Sequence, residues 1–92
     1  MNAPDTAVHL DAMRAEGSAL GHALRDHDMT EIRFRARCLH AIADQLALAP
    51  VLMAATMLVE CLGPDGTAPA HDYGDALFAL SDAIESATRS LR

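Results

Sequence analysis

The chain has 92 residues, of which 51% are hydrophobic and only 3% aromatic, and its formal net charge at pH 7 is −6. A chain of this length forms one domain, residues 1–92, with a modest core. The acidic balance argues against nucleic-acid and anionic-membrane partners, because both require local positive charge. The N-terminal segment has no basic stretch followed by an apolar one, so we expect no signal peptide and a cytoplasmic protein with reduced thiols.

Helix 1 is predicted over about residues 6–26, with Asp5 or Thr6 as its N-cap. Apolar positions then alternate in steps of three and four residues, which is typical of a helix face that packs on other helices. Gly17 within this seam lets a neighbouring helix approach closely, at a cost of about 1 kcal/mol in helix propensity. The seam consists of Leu10, Met13, Gly17, Leu20 and Leu24.

Helix 2 is predicted over about residues 29–49. Asp28 and Glu31 resemble a capping box in which Asp replaces the usual Ser or Thr. The apolar stripe of this helix is predicted to be Ile32, Ala36, Leu39, Ala43 and Leu46, widened by Phe34, Cys38 and Ile42. The opposite, solvated face is predicted to carry Arg33, Arg37, His40 and Asp44.

Helix 3, predicted over about residues 50–62, continues the most apolar part of the chain. In the run from Leu46 to Leu62 only Thr56 and Glu60 carry polar side chains. The run is shorter than the about 20 residues that a membrane span needs, so we expect no membrane segment. A helix that is apolar nearly all round must lie at the centre of the bundle or be covered by a second chain. Pro50 leaves two alternatives open, one kinked helix or two helices that meet there.

The clearest loop is the Gly- and Pro-rich segment 63–70, in which Gly63 suits a helix C-cap. Helix 4 is predicted over about residues 72–91. Its apolar seam consists of Tyr73, Leu77, Leu80, Ile84, Ala87 and Leu91. The pattern as a whole predicts an all-α fold, a small antiparallel bundle of three to four helices.

Few residues in this pattern indicate chemistry, and we predict no catalytic residue, no cofactor and no metal. The two cysteines have neither metal-ligand nor redox spacing. His22 with Asp26, and His40 with Asp44, supply only two possible ligands each, fewer than a metal site needs. Arg35 is the one arginine inside an apolar stripe, where Glu31 is able to pair with it, and it would centre an active site if two subunits shared one.

Phe78 is the strongest candidate for a contact with another protein. It projects about 130° away from the apolar seam of helix 4. An aromatic anchor inside a charged rim is typical of a protein-contact hot spot. One alternative is that a loop or another subunit covers Phe78 as part of the fold. Another is that Phe78 is one of the single exposed apolar residues that are common on protein surfaces and have no role. Its neighbours on this face are Asp75, Asp82, Glu85 and Arg89.

The arginines around the first hairpin form a second candidate surface. Arg33 and Arg37 lie one turn apart and would attract an acidic peptide or protein. The alternative is a solvated face with intrahelical ion pairs, each worth a few tenths of a kcal/mol. Asp26, Asp28 and Glu31 dilute the positive charge, which disfavours nucleic acid as the partner.

The sequence therefore predicts a non-enzymatic protein-interaction module, a small helical adaptor, chaperone or regulator, that forms a homodimer. Its predicted partner-binding residues are Phe78, Asp75, Asp82, Glu85, Arg33 and Arg37. One alternative is an acidic inhibitor that occupies the basic cleft of a nucleic-acid-processing enzyme, with Asp72 added to the acidic face of helix 4. Another alternative is a small enzyme with its site at the subunit interface.

Overall fold

The computed structural model describes residues 3–90, with side chains from Val8 to Ser90. Within residues 3–90 the chain forms four α-helices and no strand, so the predicted all-α fold is confirmed. The bundle measures 41 × 21 × 19 Å along its principal axes. The helices are α1 (Ala3–Arg25), α2 (Met29–Leu46), α3 (Ala49–Leu62) and α4 (Tyr73–Ser90).

Consecutive helices pack side by side along the chain. α2 packs between α1 and α3, and α3 packs between α2 and α4. α1 touches α4 over a narrower area, and within the described residues the backbones of α2 and α4 do not approach each other closely. The core is built from aliphatic side chains and alanines, because the chain has so few aromatic residues. Its fully buried large side chains are Met13, Ile32, Leu39, Val51, Leu58, Leu62 and Leu80.

The turn between α1 and α2 agrees with the predicted cap. Oδ1 of Asp28 accepts a hydrogen bond of 3.1 Å from the backbone N–H of Glu31, and α2 begins at Met29. The second half of a capping box is missing, because the carboxylate of Glu31 accepts from Arg35 instead of turning back to the cap. His27 adopts a left-handed conformation, with φ 55°, to close the turn.

The connection between α2 and α3 settles the alternatives at Pro50 in favour of two helices. α2 ends at Leu46, earlier than the predicted residue 49, because Ala47 turns left-handed with φ 56° and ψ 39°. The N–H of Leu48 then donates to the carbonyl of Ala43 at 3.1 Å. Pro50 lies in the first turn of α3, where its missing N–H costs no helical hydrogen bond.

α1 is helical from Ala3, which is earlier than the predicted start at residue 6. The proposed capping side chains of Asp5 and Thr6 lie outside the described side chains. Leu91, the last member of the predicted seam of helix 4, lies outside them as well.

Arg33 is not on a solvated face, and that part of the prediction is wrong. Its side chain is only 6% exposed and reaches across to the C-terminal end of α3. There the guanidinium donates hydrogen bonds to the carbonyls of Leu62 at 3.0 Å, Gly63 at 3.3 Å and Thr67 at 2.6 Å. The last carbonyls of a helix lack intrahelical partners and carry partial negative charge, so a buried cation is favourable at this position.

Phe34 is a second correction, because it does not widen the core stripe. It follows the buried Ile32 by two residues, which on a helix turns a side chain by about 200°. Its ring is exposed, and the guanidinium carbon of Arg35 lies 5.3 Å from the ring centroid. The ring thus contributes to the surface of α2 and not to the core.

Gly17 lies where α1 meets α4. A Cβ atom built on Gly17 would lie 3.4 Å from Cδ1 of Ile84, which is an ordinary van der Waals contact. Gly21, one turn further on, has no atom within 4 Å of its ideal Cβ position. Gly63 differs from both, because its φ of 68° is left-handed and its ideal Cβ lies 3.1 Å from Oγ1 of Thr67.

The capping role of Arg33 predicts a large loss of stability on substitution. Arg33→Met keeps the apolar stem but leaves three carbonyls without their donor, and we expect the free energy of unfolding to fall by about 2–4 kcal/mol. Arg37→Met is the control, because that side chain is 59% exposed and pairs with Asp65 at the surface. Its loss should not exceed about 0.5 kcal/mol. Urea denaturation followed by circular dichroism measures both, and equal losses would contradict the capping role.

The glycine environments predict effects of opposite sign. Gly17→Ala and Gly21→Ala should each raise the free energy of unfolding by about 0.5–1 kcal/mol, because alanine is the better helix former and fits at both positions. Gly63→Ala should lower it by about 1 kcal/mol or more, because alanine is strained at that φ. Thermal unfolding compares the three variants. Destabilisation by Gly17→Ala would mean that α1 and α4 approach more closely than described.

Candidate protein-interaction surface

The outer face of α4 presents Phe78 to solvent, as its projection from the seam predicts. The inner face of α4 contributes Leu77, Leu80 and Ile84 to the core. Phe78 lies on the other side of the helix, and 68% of its surface is exposed. Within the described part of the chain neither a loop nor another helix covers it. Phe78 is therefore a large apolar side chain held outward by a helix that is anchored through its opposite face.

Acidic side chains surround Phe78, and we call this set with Phe78 the Phe78 surface. Asp75, Asp82 and Glu85 are all exposed. Positions 75, 78, 82 and 85 follow helical spacing, so they share one face over about 15 Å. Glu85 forms an exposed ion pair with Arg89 one turn later, whereas Asp75 and Asp82 have no ion pair among residues 8–90. The rim is therefore net negative and accessible.

An open groove borders the Phe78 surface on the α1 side, and the sequence reasoning missed it. The groove has a volume of about 440 Å³ and lies between α1 and α4, with Gly17 and Ile84 among the residues that line it. Glu85 and Arg89 line the groove and also belong to the outer face of α4. Arg14 of α1 lines the opposite wall. The signal that was available is Gly17, which marks a close approach but does not reveal the groove beside it.

The two arginines predicted to bind a partner are separate from the Phe78 surface. Arg33 is buried at the end of α3, and Arg37 is exposed with its Nη2 3.0 Å from Oδ1 of Asp65. Both lie on α2, whose backbone does not approach that of α4 closely in the described residues. The six predicted partner-binding residues therefore form two separate groups, Arg33 with Arg37 on α2, and Phe78 with Asp75, Asp82 and Glu85 on α4.

Arg35 holds two carboxylates from different helices. Its Nη1 lies 2.9 Å from Oε2 of Glu16 on α1, and its Nε donates to Oε1 of Glu31 at 2.8 Å. The hydrogen bonds that Arg35 donates to the carboxylate of Glu16 raise the pKa of Arg35 above its usual value, and the charges of both carboxylates add to this effect. The cluster links α1 to α2, and the guanidinium of Arg35 is already paired within the fold. Four surface grooves within residues 8–90 are lined by other residues and not by Arg35.

The remaining candidates for chemistry are the thiols and histidines. Burial raises the pKa of the Cys38 thiol above its usual value, and the nearby carboxylate of Glu16 raises it further. A raised pKa leaves less thiolate at neutral pH, which is the opposite of an activated nucleophile. Within the described residues no group of three or more His, Cys, Asp or Glu side chains is placed to hold a metal ion.

No helix in residues 3–90 combines the length and the apolar character that crossing a bilayer requires. No protein-family model, curated protein sequence or solved structure matches the chain. Of the residues predicted to bind a partner, the four of the Phe78 surface share one exposed face of α4.

The raised pKa of Cys38 predicts slow alkylation. In a Cys61→Ser variant at pH 7.5, iodoacetamide should modify Cys38 several-fold more slowly in the folded chain than in urea, because less thiolate is present. The difference should narrow as the pH rises through the folded pKa, which separates a shifted pKa from restricted access. Reaction in the folded chain at the unfolded rate or faster would contradict this environment and favour a reactive thiol.

Proposed function

We propose that this chain is a non-enzymatic protein-interaction module, a small helical adaptor or regulator that acts as a homodimer and binds its protein partner through the Phe78 surface. The observation that carries the proposal is the exposure of Phe78, 68% of whose surface faces water between carboxylates. Burying one aromatic ring on binding supplies the type of apolar anchor found at hot spots, and the acidic rim selects a partner with basic groups around an apolar pocket.

The location of Phe78 supports a contact role over a structural one. Leu77 and Leu80 fill the core from the same helix, so the fold does not need the ring of Phe78. Exposing a large aromatic side chain favours association with other molecules, and an acidic rim limits nonspecific association. The adjoining groove between α1 and α4 gives a partner further surface beyond the ring.

The second candidate function is an acidic inhibitor of a nucleic-acid-processing enzyme. It is favoured by the carboxylates of Asp72, Asp75 and Asp82, which are exposed and have no ion pair among the described residues. In that case the carboxylates would replace phosphates in a basic cleft, and Phe78 would contribute little. The shared-site enzyme has less support, because Glu16 and Glu31 already occupy the guanidinium of Arg35.

Site-specific crosslinking tests the Phe78 surface. A photoreactive benzoyl-phenylalanine at position 78, introduced into the chain in its native host, should crosslink one defined protein. The same group at position 45, where Gln45 is exposed on α2, should not. Absence of an adduct at position 78, or equal adducts at both positions, would reject this surface as the binding site.

Purified partner then distinguishes the two candidate functions. Phe78→Ala should weaken binding by about 30-fold or more if the ring is the anchor. Val8→Ala, which truncates another exposed apolar side chain on α1, is the control and should change affinity less than threefold. If Asp75→Asn and Asp82→Asn weaken binding more than Phe78→Ala does, and the affinity falls steeply with salt, the acidic inhibitor is favoured instead.

A further inference from the structure

α3 is apolar on its outer side as well as on its core side. Val51, Ala55 and Leu58 fill the core from the inner side. On the outer side 67% of Met53 and 58% of Met57 are exposed. We call the outer side of α3 the methionine face, which consists of Pro50, Met53, Ala54 and Met57. The expectation that α3 is buried on nearly all sides is therefore not met within one chain.

The methionine face differs from the outer faces of the other helices because it carries no charged side chain. From Ala49 to Val59 the sequence has no charged residue, and Thr56 satisfies its hydroxyl by donating to the carbonyl of Leu52 at 2.8 Å. The outer faces of α1, α2 and α4 all carry charged side chains, among them Asp11, Arg37 and Asp82. A surface without charge meets its own copy without like-charge repulsion, whereas the Phe78 surface does not.

We infer that the methionine face binds a second copy of this chain. The inference rests on the homodimer in the proposed function and names the surface that forms it. An isologous contact about a two-fold axis between Met53 and Met57 sets α3 antiparallel to its partner's α3, with Met53 of one copy opposite the partner's Met57. Methionine adapts to irregular surfaces, and the small side chain of Ala54 leaves room for it.

The dimensions of the face fit a small, reversible dimer. The 14 residues of α3 extend about 21 Å, and α3 with the adjoining edge of α4 is about 20 Å wide. This flat footprint of about 400 Å², before side-chain relief is counted, is about 7% of the 5576 Å² surface of the chain. Interfaces near or below that share bind weakly, so we expect a dissociation constant in the micromolar range.

A groove of about 420 Å³ adjoins the Pro50 end of the face. Leu48, Ala83 and Ala87 form its apolar walls, and Asp82 lies at its rim. The groove gives a flexible side chain from the second copy a recess next to Pro50. Asp82 and Glu60 lie at the edges of the interface, and each chain carries a net charge of −6. Salt should therefore strengthen the dimer by screening this repulsion.

Sedimentation velocity over 1–500 µM protein tests this interface. The wild-type chain should dimerise, and Met53→Glu with Met57→Glu should raise the dissociation constant at least 100-fold. Val8→Glu with Phe34→Glu is the matched control, because it adds the same two charges per chain at apolar positions that are 66% and 53% exposed on α1 and α2, and it should change the constant less than threefold. All four substitutions lie at exposed positions, and circular dichroism verifies that each variant is folded.

Methyl NMR of the unmodified sequence gives an independent readout. The methyl signals of Met53 and Met57 should shift with protein concentration, whereas the signal of the buried Met13 should not. A wild-type chain that stays monomeric at 500 µM rejects the homodimer as well as the interface. A dimer that tolerates the two Met substitutions, or that Val8→Glu with Phe34→Glu dissociates equally, rejects the interface alone. Crosslinking at position 78 tests partner binding separately from all of these results.

Discussion

The buried guanidinium of Arg33 is the interaction on which the arrangement of α2, α3 and α4 depends. A cation inside a protein is costly unless its donors are satisfied, and here three carbonyls at the end of α3 and in the following loop accept from it. The same bonds fasten that loop to α2 and so fix where α4 starts. Leu77, Leu80 and Ile84 anchor one side of α4 in the core. Phe78 lies on the opposite side of this helix and therefore faces water.

The shortage of large side chains explains the remaining shape of the bundle. With only three aromatic residues in the chain, the helices pack through aliphatic side chains, alanine and glycine. Small contact residues allow close approach over a short length, as at Gly17 and Ile84, but they do not fill the space between whole helices. α1 and α4 therefore meet over a narrow area and leave a groove beside it. Apolar side chains remain exposed on α3, so association with another chain would bury further apolar surface there.

Periodicity and cap chemistry predicted much of the fold, and tertiary contacts decided the rest. The seams of α1 and α4, the cap at Asp28 and the outward position of Phe78 all follow from spacing within one helix. The end of α2 at Ala47 does not follow from the sequence, because alanine gives no signal for a left-handed residue. The burial of Arg33 does not follow either, since its acceptors lie about thirty residues away in sequence. The α1–α4 groove of the candidate site was missed for the same reason, since it exists only between elements distant in the chain.

The two proposed surfaces adjoin different edges of α4 and meet at Asp82, which belongs to the Phe78 surface and also lines the groove beside Pro50. Glu85 and Arg89 flank the groove towards α1, which places the Phe78 surface on that side of α4. Ala83 lies beside Pro50 on the other side of α4, next to the methionine face. A dimer formed through α3 would therefore leave both copies of Phe78 accessible. Two copies of a modest contact within one assembly bind a repeated or dimeric partner far more tightly than one copy does, without any additional contact. Under these proposals, an uncharged face would bind the second copy and an acidic face would bind the partner, which would keep the two kinds of association distinct.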